Sequence, residues 1–363
     1  MVGERCTAPG RVALLALAAL LVVGLMSIVG CDSSGSGATT ESTSAAEAVE
    51  LYPVRSATVA AYGYINKAGD MVIDATWEGA KPFSEGLAAV MLAQNWGFID
   101  HTGEAVVLPQ YVGVQPYSEG LAMVIKADGT VGFIDKTGEF VIEPRAIYAE
   151  SFSDGLALVR ENGKSGFIDK TGELVIETKL DNAQSFSEEL AGATGTDANG
   201  AVKWGFIDKT GGWAIQPRFD SVFAFSEGLA MVEMNGKYGY IDKTGTFVIE
   251  PTFAAADSFS EGLAAAQGEG GYGYIDKTGT FVIEPQFYWG YRFSEARAAV
   301  SMLEDGAEVL GYIDKTGVWV VEPQFSAAAA FSGGLAYVQR AEGTDPKWGY
   351  IDTAGTVVWP GKD

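Results

Sequence analysis

Histidine and cysteine are nearly missing from this chain, which has one of the first and two of the second in 363 residues. A Ser-His-Asp triad, a histidine zinc site and a His-Cys dyad each need partners that His101 alone cannot find. His101 falls on a turn position that reads as ordinary solvent-facing surface. Cys6 lies in the N-terminal stretch considered below, so a processed chain keeps Cys31 only. That excludes a disulfide framework, a thiolate nucleophile and a cysteine metal site. Basic residues are scarce as well: 24 against 47 acids gives a net charge of −23. The resulting field disfavours nucleic acid and anionic headgroups as partners and suits cationic peptides, metal ions or neutral glycans. Acidity for solubility alone explains the same surplus. No stretch carries the dense Asp-x-Asp-x-Asp-Gly spacing of a calcium loop. No metal and no cofactor are expected.

The first fifty residues read as targeting sequence rather than fold. Arg5 and Arg11 supply a positive start, and Val12 to Val23 is an unbroken apolar run. It continues to Gly30-Cys31, where the chain resembles a bacterial lipoprotein precursor. The resemblance implies cleavage before Cys31, lipidation of that cysteine, and a place on the outer face of the cytoplasmic membrane or in the cell envelope. A simple transmembrane anchor is the other reading, because the run is about long enough to span a bilayer. Asp32 to Glu50 is rich in Ser, Gly, Thr and Ala, the composition of a flexible tether reaching roughly 25 Å. The organisation expected is a signal peptide over 1–30, the lipidated cysteine and linker over 31–50, and one repeat domain over 51–363.

That domain is written in repeats. A glycine, an aromatic and Ile-Asp-Lys-Thr-Gly or a close variant begins at Gly63, Gly97, Gly132, Gly166, Gly205, Gly239, Gly273, Gly311 and Gly349. The starts are 34 to 39 residues apart, a period at which each unit buries its apolar face only against its neighbours. The stretch from Leu229 to Phe253 serves as the type. Leu229-Ala230-Met231-Val232 is apolar enough for a buried strand, and Asn235-Gly236 suits a two-residue type I′ hairpin. Tyr238 to Ile241 is the second strand. Asp242-Lys243-Thr244-Gly245 reads as a type I turn with an Asp-capped backbone and a left-handed glycine. Phe247-Val248-Ile249 is the third strand, ended by Pro251.

A second signature, aromatic-Ser-Glu-Gly-Leu-Ala, opens each unit from Phe83 to Phe331. Glu189, Ala296-Arg297 and Gly333 depart from it and read as tolerated drift, with Arg297 expected to disturb its packing. The first unit carries only a degraded opening strand near Ala57 to Ala61. On these two signatures the region from Ala57 to Pro360 resembles the bacterial WG-repeat, or KWG-repeat, proteins. The family tryptophan stands at Trp96, Trp204 and Trp348. The resemblance implies an all-β repeat protein, often exported, with no common catalytic site. The expected fold is a tandem array of about nine three-stranded antiparallel meanders. Three strands per unit favour an open twisted array; a propeller-like ring, whose blades usually have four strands, is the alternative.

Periodic carboxylates are poor candidates for catalysis. A glycosidase needs one exceptional pair across one cleft. Asp100, Asp135, Asp169, Asp208, Asp242, Asp276, Asp314 and Asp352 instead recur with the repeat, as structural turn acids would. The glutamates of the second signature recur likewise. Aromatics outside the period are candidates for ligand binding: Tyr288, Trp289 and Tyr291 in one loop, and Trp213 and Trp319 on third strands. Rigid aromatics stack on sugars or anchor peptides; sealing the gaps between repeats is the competing role. Extra residues fall only in the hairpin between first and second strands, over 192–203, 302–309 and 339–347. Repeat arrays commonly gather such insertions on one face. The chain is therefore expected to be a non-enzymatic binding or scaffold protein for a protein or cell-wall glycan, touching the membrane through its lipid only. A glycan-active enzyme using a carboxylate pair and a plain structural spacer are the alternatives. Ligand and oligomeric state are not written in the sequence.

Overall fold

Strand follows strand from Tyr52 to Trp359 in the computed structural model, with no helix among the described residues. Those residues are 50–56, 58–145, 147–340 and 348–359. The leader, Cys31 and nearly all of the linker lie outside them. Contacts divide the chain into Met1–Ala46 and Glu47–Asp363, and all that follows concerns the second unit.

The sixth repeat shows how sequence becomes sheet. Ala230–Met234 and Lys237–Ile241 pair antiparallel across Asn235-Gly236, whose φ values of 54° and 72° are those of a type I′ turn. Phe247–Phe253 pairs with the second strand on its other side. Here the register slips: Tyr238 faces Phe253 but Tyr240 faces Ile249. Two steps along one strand thus match four along the other, a bulge centred on Pro251. The bulged backbone is pushed against Gly239, where a Cβ would come within 2.6 Å of the Ile249 carbonyl and the Pro251 nitrogen. This close approach, and not a left-handed φ, is why glycine recurs in the signature.

Two features were not legible in the sequence. Most units gain a fourth, short strand ahead of the first, such as Gly79–Ser84 or Ser221–Val222. The first repeat opens at Tyr52–Arg55, paired with Tyr62–Ile65, and not near Ala57 to Ala61. Tyr52 faces Ile65 as Ala122 faces Ile134 in the third repeat. Leu51-Tyr52 therefore stands where Leu-Ala stands elsewhere, disguised because the residues ahead of it have lost the signature.

The sheets contain three or four strands each, the eighth and ninth repeats being joined into one of seven. Among the described residues no sheet closes into a barrel. Adjacent repeats are instead joined by packing. All nine aromatics that follow the signature glycines are buried. Eight of them, from Tyr64 to Tyr312, meet the second-signature aromatic of the next repeat at 4.8–5.0 Å between ring centres and 59–65°. Each turn glycine also rests on an aliphatic side chain of the preceding third strand, as Gly245 does on Ile215 and Gly279 on Ile249.

The array is open in its hydrogen-bonded ladders, since no ladder joins its first and last strands among the described residues. Its ends nevertheless share a core, as the ring alternative requires. Tyr52, Val54 and Ile65 cluster with Leu335 and Tyr350. The Tyr52 hydroxyl lies 2.5 Å from the Gly333 carbonyl, and the Tyr350 hydroxyl donates to the Pro53 carbonyl. Gly69 sits on Val358 as the other turn glycines sit on their neighbours.

Buried tyrosines give this core a pH limit. Burial pushes the hydroxyls of Tyr52, Tyr64, Tyr117, Tyr240, Tyr274, Tyr312 and Tyr350 far above their ordinary range. The folded value exceeds the unfolded one of about 10. Their contribution is therefore complete below that pH and lost as pH rises through the folded values. Unfolding followed by near-ultraviolet circular dichroism is expected to begin above pH about 10 and to steepen with pH. The share of phenolate absorbance that comes from these seven tyrosines should rise together with it, rather than before it.

Candidate functional site

The second signature is a hairpin in its own right. In Ser118-Glu119-Gly120-Leu121 the serine and leucine exchange both backbone hydrogen bonds, and Glu119 and Gly120 hold φ values of 53° and 89°. This is a type I′ turn, with glutamate where asparagine or glycine is usual. Seven acids, Glu85, Glu119, Asp154, Glu188, Glu227, Glu261 and Glu295, sit in the same left-handed conformation. Such a backbone costs about 1 kcal/mol or more per residue, so something recurrent must offset it.

The offset comes from the following repeat. Each of these acids accepts a backbone N–H from the residue after its counterpart one repeat on, at 2.6–3.1 Å. The serine before each donates to the carbonyl of the next signature aromatic at 2.7–2.8 Å. Lysines of the Asp-Lys-Thr-Gly turns add the third link: Lys136, Lys170, Lys243, Lys277 and Lys315 lie 3.1–3.3 Å from the acids of the preceding repeat. Burial alone pushes Glu85 up, but the Gly120 amide and Lys136 outweigh it and hold the carboxyl below its usual range. Replacing Glu227 by alanine is expected to cost about 1–2 kcal/mol in urea unfolding, the size of a hydrogen bond to a charged group. The same change at exposed Glu250 should move stability by less than about 0.5 kcal/mol.

The departures from this signature differ in how they are accommodated. Glu189 holds a φ of 77° and its carboxylate meets Lys209 at 2.7 Å. Arg297, in the leucine place, leaves Nε buried with no partner among the described residues. Gly333 is not drift. A Cβ there would strike the Glu50 carboxylate and the Tyr52 hydroxyl of the first repeat, so the acid is missing exactly where the ends meet.

The turn aspartates are occupied in a second way. In all eight from Asp100 to Asp352 the carboxylate accepts from the backbone N–H two residues on, and in the seven from Asp100 to Asp314 also from a threonine hydroxyl, which Ala354 cannot supply to Asp352. That threonine bond comes first among the causes holding those seven below the ordinary range. Their contribution is present above the unfolded value of about 3.9 and is lost as pH falls through the folded ones. His101 replaces the lysine of its turn and stacks on Phe83 at 4.2 Å, so it is half-buried rather than plain surface.

The five candidate aromatics separate into two groups. Trp213 and Trp319 are half-buried and pack against the cores between repeats; the Trp319 ring meets Phe287 edge-on at 5.7 Å. Tyr288, Trp289 and Tyr291 are 53%, 43% and 43% exposed. Trp289 leans on the buried Tyr272 at 4.6 Å and belongs to a short strand that pairs with Ser301 and Val300. The strand it pairs with, Ala298–Glu304, runs straight into the lengthened hairpin closed by Ala307–Ile313. Leu303 on that hairpin is 53% exposed. One insertion and the aromatic stretch thus adjoin each other, which sequence spacing did not show. The 192–203 insertion similarly lengthens its hairpin, and most of the third lies outside the described residues.

The family described as "WG containing repeat" matches at 62–95, 96–129, 132–164, 166–194, 204–238, 238–271, 272–303 and 311–341. The chain belongs to the WG-repeat family. No curated protein matches this WG-repeat chain. Among solved structures it is similar to BamB from Moraxella catarrhalis, with 13% identity over 74% of this chain and 95% of that one, at a TM-score of 0.42. Apo AztD from Citrobacter koseri gives 11% identity over 75% and 92%, at 0.38. Likeness at that level says nothing about what the WG-repeat chain binds.

Proposed function

We propose that this WG-repeat protein is a lipid-anchored, non-enzymatic binding module of the cell envelope that takes cell-wall glycan on Tyr288, Trp289 and Tyr291. The observation that carries this reading is their exposure beside a lengthened hairpin, with Trp289 braced from behind by Tyr272. A braced ring keeps its face presented at little entropic cost, as stacking on a sugar requires. The recurring acids support the same reading in another way. Those of both signatures hold turns or neighbouring repeats, whereas a hydrolytic pair would need to be free and singular. Lipid anchoring at Cys31 rests on the leader sequence and would hold the array near the wall.

The test is retention of the purified chain on cell-wall sacculi at low and high salt. Stacking predicts retention insensitive to salt that falls roughly tenfold in Trp289→Ala, the loss of one aromatic anchor. Retention abolished by salt, or equal in the variant, would contradict the glycan reading. A protein partner is the second reading, favoured by the exposed Leu303 on the adjoining hairpin; cross-linking on intact cells would detect it.

A further inference from the structure

The repetition that builds the interfaces fails once in its aromatic pairs, and a cavity marks the place. Eight buried aromatics have the signature ring of the next repeat against them. The ninth, Tyr350, should meet the signature ring of the first repeat. Counting back from Leu51, as from Leu87 to Phe83, that position is Glu47, which is not aromatic and lies outside the described residues. Tyr350 meets Tyr52 and Tyr337 instead, at 5.7 and 4.9 Å. Beside these rings lies a half-open cavity of about 340 Å³, whose far wall is Phe83 with His101 stacked on it. Glu50 and Glu85 also line it.

We infer that this cavity binds a small single-ring aromatic molecule, neutral or cationic. The site is distinct from the exposed Tyr288–Tyr291 stretch. Its size is that of a small-ligand pocket, and its walls offer the edges and faces on which an aromatic ring packs at 4.5–7 Å. Charge then selects among aromatics. Glu50 and Glu85 line the cavity while no lysine or arginine does among the described residues. Lys136 pairs with Glu85 and Lys67 lies against Gly334, which leaves Glu50 to repel an anion and tyrosine faces to attract a cation.

Saturation-transfer NMR on the full chain in lipid nanodiscs tests this with p-cresol, tyramine and 3-(4-hydroxyphenyl)propionate. The first two should bind at about millimolar or tighter, as suits so few atoms, and should displace each other; the carboxylate should bind at least tenfold more weakly. Ala330→Trp, at the exposed rim of the cavity, should abolish both signals with the thermal midpoint unchanged. If that variant loses stability, mutual displacement on the unaltered chain decides. No transfer from p-cresol or tyramine would overturn the inference. Equal binding of all three probes, or signals that survive Ala330→Trp, would overturn it too.

Discussion

Gly333→Glu, which writes the signature acid into the ninth repeat, is expected to weaken the protein by about 3 kcal/mol, at the upper end of overpacking against a buried side chain. Backbone strain is not the reason. Position 333 has a φ of 62°, close to the 51–55° that seven acids adopt at the equivalent place. The obstacle is what stands there already: the Glu50 carboxylate and the Tyr52 hydroxyl, which reach across from the first repeat. The exposed Glu50 carboxylate can swing aside, but the Tyr52 hydroxyl ends a buried ring and would be pushed off the Gly333 carbonyl. Tyr52, Val54 and Ile65 would then lose their cover from Leu335 and Tyr350. Hydrogen exchange should accelerate first in Tyr52–Arg55 and Leu335–Arg340 and leave the middle repeats slow. The reverse change, Glu227→Gly, removes one link between repeats without a collision and should cost less. An unaltered exchange pattern in Gly333→Glu would mean that the two ends do not meet in solution.

Gly239→Ala should be at least as damaging, for a different reason. One methyl group added there faces the Ile249 carbonyl oxygen and the Pro251 nitrogen at 2.6 Å. Both atoms belong to a bulged backbone held by pairing on either side of the bulge, so neither can retreat as a flexible side chain would. The strands must separate locally, and the loss should reach about 3 kcal/mol or more. Three residues away, Gly236 offers the comparison. Its φ of 72° strains an alanine, but nothing lies within 4 Å of the added carbon. Gly236→Ala should therefore cost only about 1 kcal/mol. Urea unfolding of the two variants separates crowding from conformation; equal losses would refute the close-approach account of the signature glycine.

What the sequence disclosed was whatever local chemistry decides. Asn235-Gly236 and the Asp-Lys-Thr-Gly turns each carry their own conformational instruction, and each stands where its residues place it. Pro251 does not end its strand as expected: pairing resumes at Phe253, and the missing donor is accommodated by a bulge. What it withheld depends on partners far along the chain. Glutamate is no turn residue by preference, and Glu119 becomes one because the Gly155 amide and Lys170 of the next repeat receive its carboxylate. Ser221–Val222 is too short to show alternation and exists through its pairing with Glu233 and Val232. Tyr52–Arg55 contains Pro53 and lacks the signature ahead of it, so nothing local marks it as a strand. Gly333 looks like random loss until Glu50 and Tyr52 are seen beside it. The candidate aromatics were named as departing from the period, but Trp213 and Trp319 face Ile207 and Ile313 as Phe247 and Phe281 face Ile241 and Ile275; they belong to the period, and Tyr288, Trp289 and Tyr291 do not.

The central proposal is a division of labour: periodic side chains hold the repeats together, and binding is assigned to the nonperiodic Trp289. Retention on sacculi, measured side by side for Trp289→Ala and Glu227→Ala at a temperature where both remain folded, tests it most directly. The account predicts that Trp289→Ala loses most of its retention while Glu227→Ala, though less stable, binds like the unaltered protein. Loss of retention in Glu227→Ala with Trp289→Ala unaffected would place recognition on the repeating acids and contradict the account.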